Sequence, residues 1–226
     1  DRALAGQGGT VMLVPEQYTF ETEKAMLRLA GPVRGNAIPV YSFTRLAEAV
    51  FRREGGAVGR RLSDGGRRIL MASAIEACQD RLEVYAAAAQ SGRVNDVMLT
   101  AVNEMKMCGI APGDLREAAR GLGGRGLGKK LSELALLYDT YNGLVEASYL
   151  DSRDDLTRLA QALEGSAFFQ GCTVAVDSFE GFTAQELKVL VQILRQADQV
   201  VVALCTDGLD TTGTGLFALV DRTLHR

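Results

Sequence analysis

Two hydrophobic rhythms alternate along this chain, and their order outlines its architecture. Val11-Met-Leu-Val14 is a short apolar run of the buried-strand type, stopped by Pro15. Glu16 to Leu29 then carries the 3.6-residue spacing of a helix. Ala37-Ile-Pro-Val40 predicts a second strand, and Ser42 has the chemistry of an N-cap for a helix with Phe43, Leu46, Ala47 and Val50 on one face. From about Leu62 to Phe169 no strand signal occurs. Helical spacing recurs there, most clearly in Leu131, Leu134, Tyr138, Tyr141 and Val145, flanked by Leu127 and Leu137. Breaks fall at Gly109 to Gly113, at Gly121 to Gly128, and at Asp151, read as the cap of a further helix through Leu163. After Gly171 the β pattern returns in Thr173 to Val176, followed by a helix from about Thr183 to Gln196 and a strand from Gln199 to Leu204.

Strands alternating with helices predict a parallel, doubly wound sheet. Residues 1–55 and 171–226 are therefore expected to form one α/β domain, with residues 56–170 as an all-helical insertion.

Composition narrows the classes. An apolar fraction of 47% in 226 residues is ordinary for a globular core. No run reaches the roughly 18 apolar residues of a membrane helix, and a reduced, cytoplasmic protein without membrane contact is expected. The first residue is Asp1 rather than Met, so the chain is read as an excised or processed piece. The cysteines at 78, 108, 172 and 205 lack the close pair spacing of zinc sites, and the single histidine, His225, supports no Ser/His or Cys/His catalysis. A net charge of -3 provides no global basic excess to hold a phosphate backbone. The pairs Arg52-Arg53, Arg60-Arg61 and Arg67-Arg68 are read as solvated helix faces, with phosphate contact as the alternative.

Several segments imitate chemistry they cannot perform. Gly123-Gly-Arg-Gly-Leu-Gly128-Lys129 matches most of a P-loop, but a helical segment precedes it where a strand is required, and Lys130 stands where a magnesium-binding hydroxyl belongs. It is read as an interhelical loop, as Gly6 to Gly9 is read as a terminal one. Asp151, Asp154 and Asp155 sit where a helix starts, and the helix dipole accounts for them without a metal. Asp177 differs, because it ends the apolar run Thr173-Val-Ala-Val176 as the acid of a Walker B strand does. In such motors the Asp helps to hold magnesium and a following Glu orients the attacking water. Ser178 occupies that Glu position.

Four segments fall in the order found in superfamily 1 helicases of the UvrD type. Val14-Pro-Glu-Gln-Tyr-Thr-Phe20 resembles motif Ia, Tyr41 to Arg53 resembles motif Ib, Tyr149 to Leu156 resembles the stretch before the Walker B strand, and Val174 to Gln185 resembles motif II. The strand to Leu204 with Asp207 sits where motif III ends. More narrowly, Leu13 to Gln17, Tyr41 to Ala47, Leu62-Ser-Asp64, Val176 to Leu187 and Leu216-Phe217 together are similar to the AddB subunit of the bacterial AddAB helicase-nuclease, over nearly the whole chain.

The resemblance implies a P-loop NTPase-like parallel sheet of the domain 1A type, its first strand and P-loop missing here, with a large helical insertion of the domain 1B type. It implies a parent subunit of an ATP-dependent helicase/deoxyribonuclease that pairs with an AddA-type partner, processes broken DNA ends for recombinational repair and reads a Chi-type sequence in single-stranded DNA. ATP, Mg and a 4Fe-4S cluster belong to regions outside this chain. The chain itself is not expected to be catalytic, and Asp177 would bind metal only if the upstream P-loop were restored. Motif Ia and Ib positions make Gln17, Tyr18, Thr19, Ser42 and Thr44 the expected DNA-facing residues, whereas Tyr41 and Phe43 are expected in the core. Two alternatives stay open: a partner-docking module without DNA contact, and a nucleotide hydrolase whose P-loop lies upstream.

Overall fold

A computed structural model describes residues 9–55, 59–89, 94–123 and 126–205. The expectations at Gly6 to Gly8, Asp207, Leu216-Phe217 and His225 lie outside the described residues, as do Gly124 and Arg125 of the glycine-rich segment. The chain divides into two compact units, one from Asp1–Gly56 with Asp155–Arg226 and the other Ala57–Asp154. The first begins with β1 (Gly9–Leu13), α1 (Thr19–Asn36), β2 (Val40–Tyr41) and α2 (Phe43–Glu54). The second contains α3 (Asp64–Cys78), α4 (Ala86–Ala89), α5 (Val94–Met107), α6 (Pro112–Gly121) and α7 (Leu127–Glu146). The chain then returns to the first unit through α8 (Asp155–Glu164), β3 (Cys172–Val176), α9 (Ala184–Gln196) and β4 (Gln199–Val202).

The four strands among the described residues are all parallel, in the order β2-β1-β3-β4. Val11 and Leu13 pair in register with Val174 and Val176, and these four side chains are 0–7% exposed, so one sheet face is thoroughly covered. Helix α8, counted with the helical stretch when the sequence is read alone, packs on α2 and α9 in this unit. Its Leu159 and Leu163 are fully buried, as is Ile193 of α9. The opposite row, Val40, Met12, Ala175 and Val201, opens progressively from buried at Val40 to 48% exposed at Val201.

Two boundaries differ from expectation. α1 runs past Leu29 to Asn36, broken only by Gly31 at φ 77 and Pro32. The turn that closes it, in which the Ala37 and Ile38 N–H groups donate to the Arg34 and Gly35 carbonyls, takes up the start of the expected strand, and β2 is two residues long. Gly35 is required there, since a Cβ on it would lie 2.7 Å from the Cα of Leu27.

In the helical unit, α7 packs on both α3 and α6. Tyr138, Tyr141 and Val145 are buried as the periodicity predicts, and Leu137 joins them. Leu127 does not: as the first residue of α7 it is 59% exposed. The unit's entry and exit are tied by two backbone hydrogen bonds of 2.9 Å, from Leu62 N–H to the Leu150 carbonyl and from Leu150 N–H to that of Arg60. α6 precedes the glycine-rich segment and α7 starts at Leu127, as an interhelical loop requires.

Asp151 is a correction. It does cap the first turn of the helical segment that runs to Leu163, a 3-10 turn at Ser152–Asp154 continuing into α8, by accepting the Arg153 N–H at 3.0 Å, but it is 0% exposed and the helix dipole alone does not account for it. Its Oδ1 also accepts from Arg67 Nε at 2.9 Å and Nη2 at 2.7 Å, while Lys106 Nζ lies 3.5 Å from Oδ2. Arg67 and Lys106 are themselves 7% and 5% exposed. Arg67 is therefore an interior ion-pair residue, not part of a solvated helix face. Helical periodicity could not reveal this, because the partners come from α3, α5 and a loop far apart in sequence.

Candidate functional site

The carboxyl ends of β1, β2 and β3 open into a cleft of about 370 Å³. Clefts at this end of parallel strands are the usual ligand sites of doubly wound sheets, because the loops leaving the strands diverge there. Pro15 ends β1's run and a 3-10 turn at Glu16–Tyr18 follows, which presents Gln17 and Tyr18 on one wall, both exposed. Ser42 and Thr44 stand on the second wall, where β2 passes into α2. Ser178, Phe179, Glu180 and Gly181 form the third.

The third wall is shaped by an unusual backbone. Ser178 has φ 65, the one positive value among described residues other than glycine. A left-handed conformation costs a residue with a Cβ about 1–2 kcal/mol, and here it turns Phe179 inward. The Phe179 ring meets Phe43 edge-on at 5.6 Å and Phe182 at 4.9 Å, which pins the loop to the start of α2. Phe43 is thus a core residue, as expected. The loop ends in a reciprocal cap: Thr183 Oγ1 accepts from Glu186 N–H at 3.2 Å, and Glu186 accepts from Thr183 N–H at 2.7 Å.

The expected site residues separate into two groups. Gln17, Tyr18, Ser42, Thr44 and Ser178 line the same cleft. Ser42 is 3% exposed and mostly structural, since its Oγ accepts from Arg45 N–H at 3.2 Å and donates to the Glu16 carboxylate. Thr19 is a correction: it is 3% exposed, and its hydroxyl donates to the Glu16 carbonyl at 3.0 Å, so it holds the turn and presents nothing outward. Asp177 ends β3 as expected, with its N–H donating to the Leu13 carbonyl at 3.0 Å. Its exposed carboxylate accepts from Ser178 N–H at 2.7 Å and is not part of the cleft wall.

Sequence reasoning missed the acidity of the cleft. Glu16, Glu180 and Glu186 line it, and no Lys or Arg does. Glu16, itself exposed, is offset by Ser42 and by Arg45 at 3.7 Å, and Glu186 is engaged in the cap; Glu180 is a further exposed carboxylate. The cleft can take hydrogen bonds from a ligand and offers Tyr18 as a flat apolar surface, but it offers no cation to a phosphate.

A sequence model described as ADDB, N-terminal matches residues 4–226. The chain belongs to the AddB N-terminal family. It is 37% identical over 203 residues to the B subunit of the ATP-dependent helicase/deoxyribonuclease from Symbiobacterium thermophilum, covering 86% of this chain and 17% of that protein. The proteins of the same name from Thermoanaerobacter sp. (strain X514) and Desulforamulus reducens are each 35% identical, over 198 and 210 residues, covering 87% and 91% of this chain. The chain spans 17–18% of the length of these relatives. Among the described residues no helix is long and apolar enough to cross a membrane.

Proposed function

We propose that this chain is the helicase-like, motor-silent N-terminal region of an AddB-type subunit, acting as a single-stranded DNA-binding scaffold in a DNA-repair helicase-nuclease. The observation that carries this is the convergence of Gln17, Tyr18, Thr44 and Ser178 on one cleft at the carboxyl edge of the sheet. These residues come from three separate segments, the 3-10 turn after β1, the first turn of α2 and the loop after β3, at the motif Ia, Ib and II positions of the resemblance. Amide, hydroxyl and aromatic groups suit a strand read by hydrogen bonds and stacking. In the complete protein the partner is an AddA-type helicase-nuclease chain, and the DNA is a broken end bearing a Chi-type sequence.

Motor silence follows from Ser178. A general base contributes roughly 10² to 10⁴ in rate, and a serine cannot replace it. A P-loop NTPase-like sheet with one further strand is supported by β4, whose Val201 and Val202 are both 48% exposed although parallel strands are ordinarily buried on both faces. A strand at that edge, joined to β1 by a right-handed crossover, would place its helix over Met12, Ala175 and Val201, the half-open face.

The test uses the intact heterodimeric complex. Replacing Gln17 and Thr44 together by Ala lowers affinity for single-stranded DNA while leaving the salt dependence unchanged, since neither is a cation. Unchanged affinity would refute the role of the cleft. A partner-docking role without DNA contact is favoured by one observation, the lack of Lys or Arg in the cleft wall. Crosslinks from bound DNA confined to other regions of the complex would select it.

A further inference from the structure

β2 lies at one edge of the sheet, with no described strand on its outer side. The Met12 N–H donates to the Pro39 carbonyl and the Val14 N–H to the Tyr41 carbonyl, both at 2.9 Å, so the intervening Val40 turns its own N–H and carbonyl away from β1. Neither group has a hydrogen-bond partner among the described residues, and Val40 is only 6% exposed. Buried backbone groups are almost always paired, so this pair is an open requirement. Proline commonly blunts an exposed edge. Pro39 does not blunt this one, because its nitrogen lies with its carbonyl on the β1 side.

Val40 opens on a groove of about 530 Å³ between α1 and α2. Arg45 of α2 and Glu23 of α1 link its walls at 2.8 Å. The walls also hold Leu27, the half-buried Ile38, and the exposed Glu48 and Arg52, which form no ion pair among the described residues. Two glutamates against two arginines leave the groove without net charge. It therefore gives a phosphate chain no attraction, whereas a free N–H and carbonyl beside apolar side chains match an extended polypeptide, as in strand addition.

We propose that an extended segment of the same subunit, outside residues 1–226, docks in this groove and adds to β2 as a further strand, exchanging hydrogen bonds with the Val40 N–H and carbonyl. A tethered occupant is favoured because two backbone bonds are too few to hold a free peptide against its ordering cost. The chain covers 17–18% of its relatives, so in a subunit of their length most of the polypeptide is linked to this edge. Linkage raises its effective concentration without any added contact. α2 sets the pattern of the occupant. Glu48 and Arg52 are four positions apart, about 6 Å along a helix, and two residues of a strand advance about 6.7 Å. The segment is therefore expected to carry a basic and an acidic residue two positions apart, one opposite each. This assignment needs the family membership alone and is independent of the DNA-binding role.

Photo-crosslinking in the intact heterodimeric complex tests it, with benzoylphenylalanine in place of Ala49, a groove-wall residue that lies in sequence between Glu48 and Arg52. Mass spectrometry is expected to find the adduct on a segment of the same subunit outside residues 1–226 that carries such a base and acid. Glu48→Lys together with Arg52→Glu should abolish the adduct, and reversing the two matching charges in the mapped segment should restore it. Both wall residues are exposed, so these variants are expected to keep the fold. No adduct, or adducts only with the partner subunit, with DNA or with a second copy of the subunit, would overturn the proposal, as would an adduct that survives the charge reversal. Each of these outcomes leaves the DNA-binding role to be decided separately by the Gln17 and Thr44 variants.

Discussion

Removing the carboxylate of Asp151 is expected to be among the most damaging single changes in the helical unit. Its side chain is fully enclosed, accepts two hydrogen bonds from Arg67 at 2.7 and 2.9 Å, and lies 3.5 Å from Lys106. Asp154 takes a further bond from Lys106 at 2.6 Å, so it offsets one cation but not both. Asp151→Ala leaves Arg67 buried with only the exposed Asp64 and the Ser152 hydroxyl as partners. Breaking a buried pair on one side costs about 3–5 kcal/mol, or roughly 6–20 °C in melting temperature for a chain of this size. Replacing all three groups with apolar residues, as Arg67→Met, Lys106→Met and Asp151→Leu, should recover most of that loss, because the desolvation penalty disappears with the charges. Acid sensitivity follows from the same group. Burial by itself raises the Asp151 pKa, but the Arg153 N–H, Lys106 and Arg67 outweigh it and hold the carboxyl below its ordinary range. Its folded-state pKa therefore lies below the unfolded value of about 3.9. The stabilisation is complete above that value and is lost as pH falls through the folded one. Urea denaturation followed by circular dichroism at pH 7 and at stepwise lower pH measures both effects. A loss below about 1 kcal/mol for Asp151→Ala, or an acid transition unchanged in that variant, would refute the account.

Other outcomes can be checked separately. Glu133, 6% exposed, accepts the backbone N–H groups of Glu83, Val84 and Tyr85 at 2.8–3.1 Å; Glu133→Ala is expected to cost about 1–3 kcal/mol and to speed amide exchange at those residues. Ser178→Gly relieves a left-handed strain of about 1–2 kcal/mol against a glycine entropy cost of about 0.5–1 kcal/mol, so a small rise in stability is expected and a fall would count against the strain. Gly35→Ala forces a methyl to within 2.7 Å of the Leu27 backbone and should destabilise by about 1–3 kcal/mol in a thermal melt. Tyr18→Ala in the intact complex should lower single-stranded DNA affinity roughly 5- to 150-fold, and an unchanged titration would remove Tyr18 from the interface.

Much of the cleft was legible because its residues follow strands that announce themselves. Val11 to Val14 and Thr173 to Val176 are apolar runs with clear stops, and what leaves their carboxyl ends must line the sheet edge. Ser178 is placed by the end of the second run, whereas Gln17, Tyr18 and Thr44 are singled out by the resemblance to motifs Ia and Ib. Thr19 was misjudged by a single residue, since whether a turn presents a side chain outward or inward depends on its backbone angles. The acidity of the cleft was hidden for a different reason: Glu16, Glu180 and Glu186 are not neighbours in sequence, and only their assembly gives the wall its sign.

By itself the amino-acid order determined the alternation of strand and helix, the parallel sheet, the long helical stretch between its halves, and the serine that follows Asp177. These are local properties, set by periodicity, capping chemistry and the residues next to them. Tertiary structure alone decided that Asp151 is an interior ion-pair centre, that Ser178 adopts a left-handed backbone while Phe179 packs on Phe43, and that α1 and α2 wall a groove along the free edge of β2. Each of these joins groups far apart along the chain, or turns a side chain by a single backbone angle. Burial and charge balance are properties of such neighbourhoods, and a neighbourhood exists only once the chain has folded.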